Sequence, residues 1–187
     1  MSPQTNEQLP EPVFSKNVIE MLTVANEYCL FLEKAGEYPR ESLLSFLQKI
    51  SPLIYLKASL LPDITDVNDD AAEHFLKEEE WEAMLNSLHA KFGEDDQFYY
   101  LDHHEKSSTD PIRSSLSETF ADIYQDLKDF VLLYQKPQKA AMEYAVYDCK
   151  RLFENHFGFL LVNGQQILHY LLYTESGSLE TGDLWEV

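Results

Sequence analysis

The sequence predicts an all-α protein, an antiparallel bundle of five to six helices with one long acidic loop. Apolar residues recur every three or four positions in successive segments of about 20 residues, which is the rhythm of amphipathic helices. No segment shows sustained β alternation. Only 6 glycines and 8 prolines occur among 187 residues, too few for a barrel or sandwich of many turns, while 44% hydrophobic residues are enough for a folded core.

The first two helices are predicted from their stripes and their end signals. Helix one covers residues 15–34, with Ser15 as N-cap and Gly36 as the glycine that ends it. Helix two covers residues 39–61 and begins at a proline, a residue favoured in the first turn. Because Pro52 lacks an N–H, we expect a kink or a restart in the middle of this helix.

The third helix and the loop after it come next. Asp70 and Glu73 have the spacing of a capping box, so helix three is predicted over residues 70–92. Gly93 is expected to end it. Residues 94–113 are rich in acidic and aromatic residues and are predicted to form the long acidic loop.

Helices in the last part of the chain carry the clearest stripes. Helix four is expected to begin at Asp110 or at Ser115 and to end before a Lys-Pro pair. Helix five is predicted over residues 137–157 and to be bent or ended by Gly158 or by the Asn-Gly pair after it. A last helix is expected over residues 165–173.

The chain is therefore interpreted as one domain over residues 15–173. Residues 1–14 are predicted to be a flexible tail and residues 174–187 an acidic tail. Residues 155–174 contain no charge, but their histidines, amides and glycines favour a buried helix pair over a membrane span. No signal peptide is recognisable, and we expect a protein of the bacterial cytoplasm, of unknown oligomeric state.

Charge sets the expected partners. The net charge of −19 repels phosphate backbones, so direct binding to nucleic acid is not expected. Residues 63–105 hold 14 acidic and 2 basic residues, a net charge of −12, which favours a basic protein as partner. Cys29 and Cys149 lie in apolar helical patterns and are expected to be buried, reduced thiols.

Three groups of residues are candidates for a functional role. His156 is expected on the apolar face of helix five, either as an acid/base or ligand histidine or, as we favour, as a buried histidine bonded to a facing Tyr or Asp. Asp122 and Asp126 lie one turn apart on helix four and predict an acidic ridge. That ridge is a docking or cation-binding face, or it is a solvated surface, or its carboxylates pair with Lys or Arg from a neighbouring helix.

The acidic loop offers the third group. It contains four weak candidate metal ligands and three aromatic candidates for anchoring a partner: Asp102, His103, His104 and Glu105, then Phe98, Tyr99 and Tyr100. Adjacent ligand residues point in different directions, so they rarely bind one ion without help from another segment. We therefore favour a solvated or interacting loop, and we expect no cofactor.

Nucleotide-binding, esterase, zinc-protease and di-iron motifs are absent from the sequence. The favoured hypothesis is thus a non-enzymatic module that docks a basic partner. Two alternatives stay open. One is an acidic mimic of nucleic acid that inhibits a nucleic-acid-processing protein, and the other is a metal-dependent or acid/base enzyme that uses His156 or the 102–105 loop.

Three segments resemble a known family. Residues 116–128 (LSETFADIYQDLK), 55–62 (YLKASLLP) and 153–158 (FENHFG) resemble bacterial domain-of-unknown-function family 5063. The likeness spans roughly residues 15–173. The resemblance implies an all-helical cytoplasmic protein and brings no activity, cofactor or catalytic residue.

Overall fold

The computed structural model describes residues 11–101 and 110–174, and within them the protein is a helical bundle, as predicted. None of the helices in these two ranges is long and apolar enough to cross a membrane. The six α-helices are α1 Lys16–Leu32, α2 Arg40–Ser59, α3 Glu78–Phe92, α4 Leu116–Tyr134, α5 Lys139–Leu152 and α6 Gly158–Tyr173. A π-turn, Phe153–Phe157, joins α5 to α6 without a loop.

The core is organised around α4, which packs against α1, α3, α5 and α6. The predicted stripe of α4 is buried along its whole length: Leu116, Phe120, Ile123, Leu127, Phe130 and Tyr134. Full burial of one such side chain contributes about 1.5–3 kcal/mol. The helix with the clearest apolar rhythm is therefore the centre of the molecule.

A short turn packs on the core before the predicted boundary at residue 15. Pro12–Phe14 form a short 3₁₀ turn, and Val13 is buried in the core. The Tyr134 hydroxyl donates a hydrogen bond of 2.9 Å to the Val13 carbonyl. The last residues of the predicted tail are thus fixed against the end of α4.

The ends of α1 differ from the prediction in detail. Ser15 occupies the N-cap position, but its hydroxyl makes no capping hydrogen bond. Gly36 is not a left-handed C-cap, because it lies in a 3₁₀ turn, Ala35–Glu37, with ordinary backbone angles. The Lys91 ammonium donates to the Gly36 and Tyr38 carbonyls at 3.0 and 2.6 Å. A side chain of α3 therefore bonds to two carbonyls in the segment that follows α1.

The predicted restart of α2 at Pro52 is wrong, since the helix runs without a break from Arg40 to Ser59. Proline removes the N–H that would bond to the carbonyl four residues earlier, that of Gln48. The Gln165 side-chain amide, from α6, donates to this carbonyl at 3.2 Å. A neighbouring helix therefore replaces the missing donor.

Helix α3 begins at Glu78, and the predicted start at Asp70 is wrong. The Asp129 carboxylate on α4 accepts hydrogen bonds from the backbone N–H groups of Phe75 and Leu76, at 2.8 and 3.1 Å. These donors are held by another helix, so the segment before α3 stays extended. Gly93 does end α3, with the positive φ of 60° that glycine adopts without strain.

The predicted acidic loop contains a short β-hairpin that the sequence analysis did not anticipate. Strands β1 (Gln97–Tyr100) and β2 (Ile112–Ser115) pair antiparallel, with Gln97 opposite Ser115. Four residues are too short for alternation to stand out from chance. The alternation is nevertheless present, because Phe98 is buried while Tyr99 is exposed.

Ser115 begins α4, the second of the two predicted starts. Its hydroxyl accepts a hydrogen bond of 3.1 Å from the Glu118 N–H, the expected capping contact. At the other end of the chain, the separate last helix predicted from residue 165 is wrong, because α6 begins at Gly158.

Cys29 and Cys149 are free and buried, as predicted, and burial raises the pKa of Cys29 to about 12.

Candidate functional site

A groove between α2, the hairpin and the start of α6 is the best candidate site. It has a volume of about 790 Å³, within the usual range for ligand sites. Tyr55 of α2 and Tyr100 and Leu101 at the end of β1 form one side. The π-turn and the first turn of α6 form the other side, which also carries the polar side chains Glu154, Asn155, His156 and Asn163.

The π-turn positions this second wall, and Gly158 makes the turn sterically possible. A Cβ atom at Gly158 would lie 2.3 Å from the Phe153 carbonyl oxygen, closer than real contacts allow. Gly158 was expected to bend or end helix five. It instead permits a π-turn, which holds one more residue than an α-helical turn, within a continuous helix. Such turns occur frequently at functional sites.

His156 lies on this π-turn and is paired with Asp126 of α4. The two groups are joined by a contact of 2.7 Å between Nδ1 and Oδ2. The expectation of a buried histidine is wrong, because the His156 side chain is 44% exposed, but an Asp partner was one of the two predicted. The hydrogen bond to Asp126 raises the pKa of His156, while partial burial opposes this shift. With Nδ1 occupied, Nε2 is the ring nitrogen left for the groove.

The predicted acidic ridge of α4 faces neighbouring helices and is not a solvated face. Asp122 accepts a hydrogen bond of 3.0 Å from the Trp81 indole N–H, and burial raises the pKa of Asp122. Asp126 is largely buried behind His156. Their partners are thus an indole and an imidazole, where the sequence analysis expected Lys or Arg. Both carboxylates therefore make internal contacts.

Two further aspartates with several hydrogen-bond partners were missed. Asp96 is 1% exposed and accepts from the Ser117 N–H and hydroxyl, each at 2.8 Å, with His89 Nδ1 also at 2.8 Å. Asp129 holds the segment before α3 and also contacts His74 at 3.0 Å. The partners of both aspartates lie on other elements. The one local signal is a histidine seven residues before Asp96.

The aromatic candidates of the loop divide into three environments. Phe98 is a core residue, so the prediction that it anchors a partner on the surface is wrong. Tyr99 is exposed on the hairpin, and Tyr100 lines the groove. The four candidate metal ligands Asp102, His103, His104 and Glu105 lie outside the described residues. Within 11–101 and 110–174, no three His, Cys, Asp or Glu side chains are grouped to hold a metal ion.

A second, smaller pocket adjoins the groove. It has a volume of about 230 Å³ and is lined by Ser51, Pro52, Tyr55, Leu161, Val162 and Gln165. Tyr55 and Val162 belong to both cavities and are 43% and 56% exposed. Other large apolar side chains on α2 and α6 are also exposed: Leu53, Leu56, Phe159, Tyr170 and Tyr173. The two helices pack together, so groove and pocket lie in a largely apolar α2/α6 face.

Comparisons with known proteins place the chain in a family. No curated protein matches it. The crystal structure of protein BF1032 from Bacteroides fragilis, a structural-genomics target, is similar with a TM-score of 0.78 and 36% sequence identity. That match covers 88% of this chain and 97% of the other. The family model described as "Domain of unknown function (DUF5063)" matches residues 12–174. The chain therefore belongs to the DUF5063 family, as its helix motifs suggested.

Proposed function

We propose that this protein is an interaction module that docks a basic, partly apolar segment of another protein in the groove between α2, the hairpin and α6. The observation that carries the proposal is the convergence of exposed apolar side chains from three elements on one concave surface, Tyr55, Leu101 and Val162. Contiguous exposed apolar surface on a folded protein is typical of interaction sites.

Charge supports a basic partner. Six exposed carboxylates in the segment before α3 and in its first turns pair with no basic side chain in the described part of the chain: Asp66, Asp69, Asp70, Glu78, Glu79 and Glu82. The part of this segment before α3 lies beside α5, since Asp63 pairs with Lys150 at 2.6 Å and the turn Asp69–Ala71 packs on α5. Helix α5 leads directly into the π-turn of the groove. The negative charge of these carboxylates favours the approach of a basic segment.

The compartment proposed for this encounter is the cytoplasm. Both cysteines are buried free thiols, and burial raises the pKa of each. Proteins of reducing compartments keep such thiols unpaired. The partner is accordingly sought among cytoplasmic proteins.

A matched pair of charge insertions tests the docking surface. Val162→Glu places a charge in the groove, whereas Leu30→Glu places the same charge at an α1 position that is 47% exposed. The immobilised protein is used to capture partners from a lysate of the source organism, at low and high salt. We expect a basic partner that wild type and Leu30→Glu retain and Val162→Glu loses, with weaker capture at high salt. Equal capture by both variants, or a partner insensitive to salt, contradicts the proposal.

The Asp126–His156 pair favours a second candidate function, acid–base chemistry on a small ligand held in the groove. A carboxylate that fixes the imidazole tautomer and leaves Nε2 towards a cavity is the arrangement general bases use. Incubation of wild type and His156→Ala with a metabolite extract, followed by mass spectrometry, tests it. Consumption of a metabolite by wild type alone supports this function, and identical profiles contradict it.

A further inference from the structure

The pocket between α2 and α6 contains a side-chain amide whose orientation is fixed by the helix it contacts. Pro52 leaves the Gln48 carbonyl without its helical donor, and Gln165 Nε2 donates to it at 3.2 Å. The reverse orientation would place two oxygens against each other. The Gln165 amide therefore directs its nitrogen to α2, and its oxygen is left for other donors.

No residue in the described part of the chain donates a hydrogen bond to that oxygen. Gln165 Oε1 is also buried. The nearby hydroxyl of Ser51 does not serve it, because Ser51 donates to the Leu47 carbonyl at 2.7 Å. Buried acceptors are almost always satisfied, so an unsatisfied one in a pocket wall indicates a donor that arrives from outside.

We propose that this pocket is an anchor site for a tryptophan side chain of the docked segment, whose indole N–H donates to Gln165 Oε1. The inference rests on the proposed docking function and names the residue that docks. The remaining wall is formed mainly by Pro52, Leu161 and Val162, so the occupant has to be apolar over most of its surface. Indole combines a large apolar ring with a single donor and no acceptor, which matches one buried oxygen.

The pocket is reached from the groove. Tyr55 and Val162 line both cavities and are exposed, so a ring on a segment lying in the groove enters by displacing these two side chains. The charge already described selects the rest of that segment, because Glu154 lines the groove and the acidic turn Asp69–Ala71 packs on α5. The proposed ligand is a basic segment with one tryptophan.

A small probe tests the pocket without the partner. N-acetyltryptophanamide, its 1-methylindole analogue and N-acetylphenylalaninamide are titrated into isotope-labelled protein and followed by NMR. We expect shifts of the Leu161 and Val162 methyl groups and of the Gln165 side-chain amide. Binding should be about 5–10-fold tighter for the tryptophan probe than for the two probes that lack an indole N–H. Equal affinities, or shifts confined to other residues, overturn the inference.

A variant pair separates hydrogen bonding from folding. Gln165→Leu removes the amide, and Pro52→Ala in the same chain restores the backbone donor for Gln48, so the double variant keeps the helix satisfied. The N–H preference should disappear in the double variant and persist in Gln166→Leu, the same change at an exposed α6 position outside both cavities; if it persists in both, the inference is wrong. Loss of partner capture in Val162→Glu with no tryptophan preference overturns this inference alone. Unaffected capture in Val162→Glu instead contradicts the docking function.

Discussion

Asp96 is a buried carboxylate whose surroundings are almost entirely hydrogen-bond donors. It receives the Ser117 N–H and hydroxyl and contacts His89, so it connects the end of α3 to the start of α4. A carboxylate can accept all of these bonds at once, whereas an amide can accept at only one of its two atoms. The position therefore depends on a side chain with two acceptor oxygens.

Asp96→Asn should consequently lower the free energy of unfolding by about 2–4 kcal/mol, the cost of leaving buried donors unsatisfied. Urea denaturation measures this loss. Asp95→Asn is the matched control, because Asp95 is half-exposed and, among the described residues, its ion pair is with Arg40. It should lose less than about 1 kcal/mol. Similar losses in the two variants would show that burial of Asp96 is not the cause.

The pairing of His156 with Asp126 predicts a pH dependence with a definite sign. Asp126 raises the folded pKa of His156 above its ordinary value of 6.5. The pair therefore contributes stability that is fully present below the unfolded pKa and is lost as pH rises through the folded pKa. Asp126→Asn should lower the pKa of His156 and destabilise the protein more at about pH 5.5 than at about pH 8.

NMR titration of the imidazole and urea denaturation at both pH values measure these effects. Glu154→Gln is the control, since Glu154 lies two residues from His156 but does not cause its pKa shift. An unchanged His156 pKa in Asp126→Asn would falsify the assignment of Asp126 as its cause.

At the scale of elements, the π-turn between α5 and α6 is the feature most sensitive to a single methyl group. Gly158→Ala brings Cβ against the Phe153 carbonyl oxygen, so the turn has to open. We expect a loss of about 2–3 kcal/mol, as for overpacking in a core. Gly36→Ala is the control, because its Cβ would meet only Ser87 Oγ at 3.6 Å. Thermal unfolding should show a clear decrease for the first variant and none for the second.

The contact between α2 and α6 gives a second prediction at this scale. Gln165→Leu leaves the Gln48 carbonyl without a donor and should cost about 1–2 kcal/mol. In the Pro52→Ala background the same change should cost less, because the new backbone N–H bonds to that carbonyl. A double-mutant cycle from urea denaturation measures the coupling. Additive effects would mean that Gln165 does not compensate for Pro52.

Helices with long apolar stripes were predictable from the sequence. Short strands, and helix ends held by residues distant in the sequence, were not. The apolar spacing of α4 and the Ser115 cap are local signals, and both proved correct. The start of α3 was misplaced because Asp129, more than 50 residues away, holds the Phe75 and Leu76 N–H groups. The hairpin was missed because its strands, Gln97–Tyr100 and Ile112–Ser115, are short and lie apart in the sequence.

For the whole molecule, the net charge of −19 predicts salt dependence. Unpaired surface carboxylates repel one another in the compact state, and salt screens this repulsion. We expect the Tm to rise by roughly 3–6 °C between about 0.02 M and about 0.5 M NaCl. Differential scanning calorimetry at constant pH measures the change. KCl serves as control and should act equally, so a Na⁺-specific effect or a fall in Tm would contradict screening.

The candidate site was predictable only in fragments. The sequence analysis anticipated His156, Tyr100 and an Asp partner individually. It did not anticipate that His156 and Tyr100 line one groove with Tyr55, with Asp126 bonded to His156. Those residues lie on four elements that are distant in the sequence. Periodicity reports which side of one helix is buried and is silent on which helices lie next to each other.

The sequence by itself determined the helical class, the central helix, the acidic character and the family motifs, because each is written in local spacing or composition. Only the tertiary structure decided the continuity of α2 through Pro52, the start of α3 and the groove beside His156. Each of these depends on a hydrogen bond or a surface shared between distant segments, such as Gln165 with Gln48 and Asp126 with His156. Such contacts exist only after the helices have packed, and that is the physical reason why no local pattern contains them.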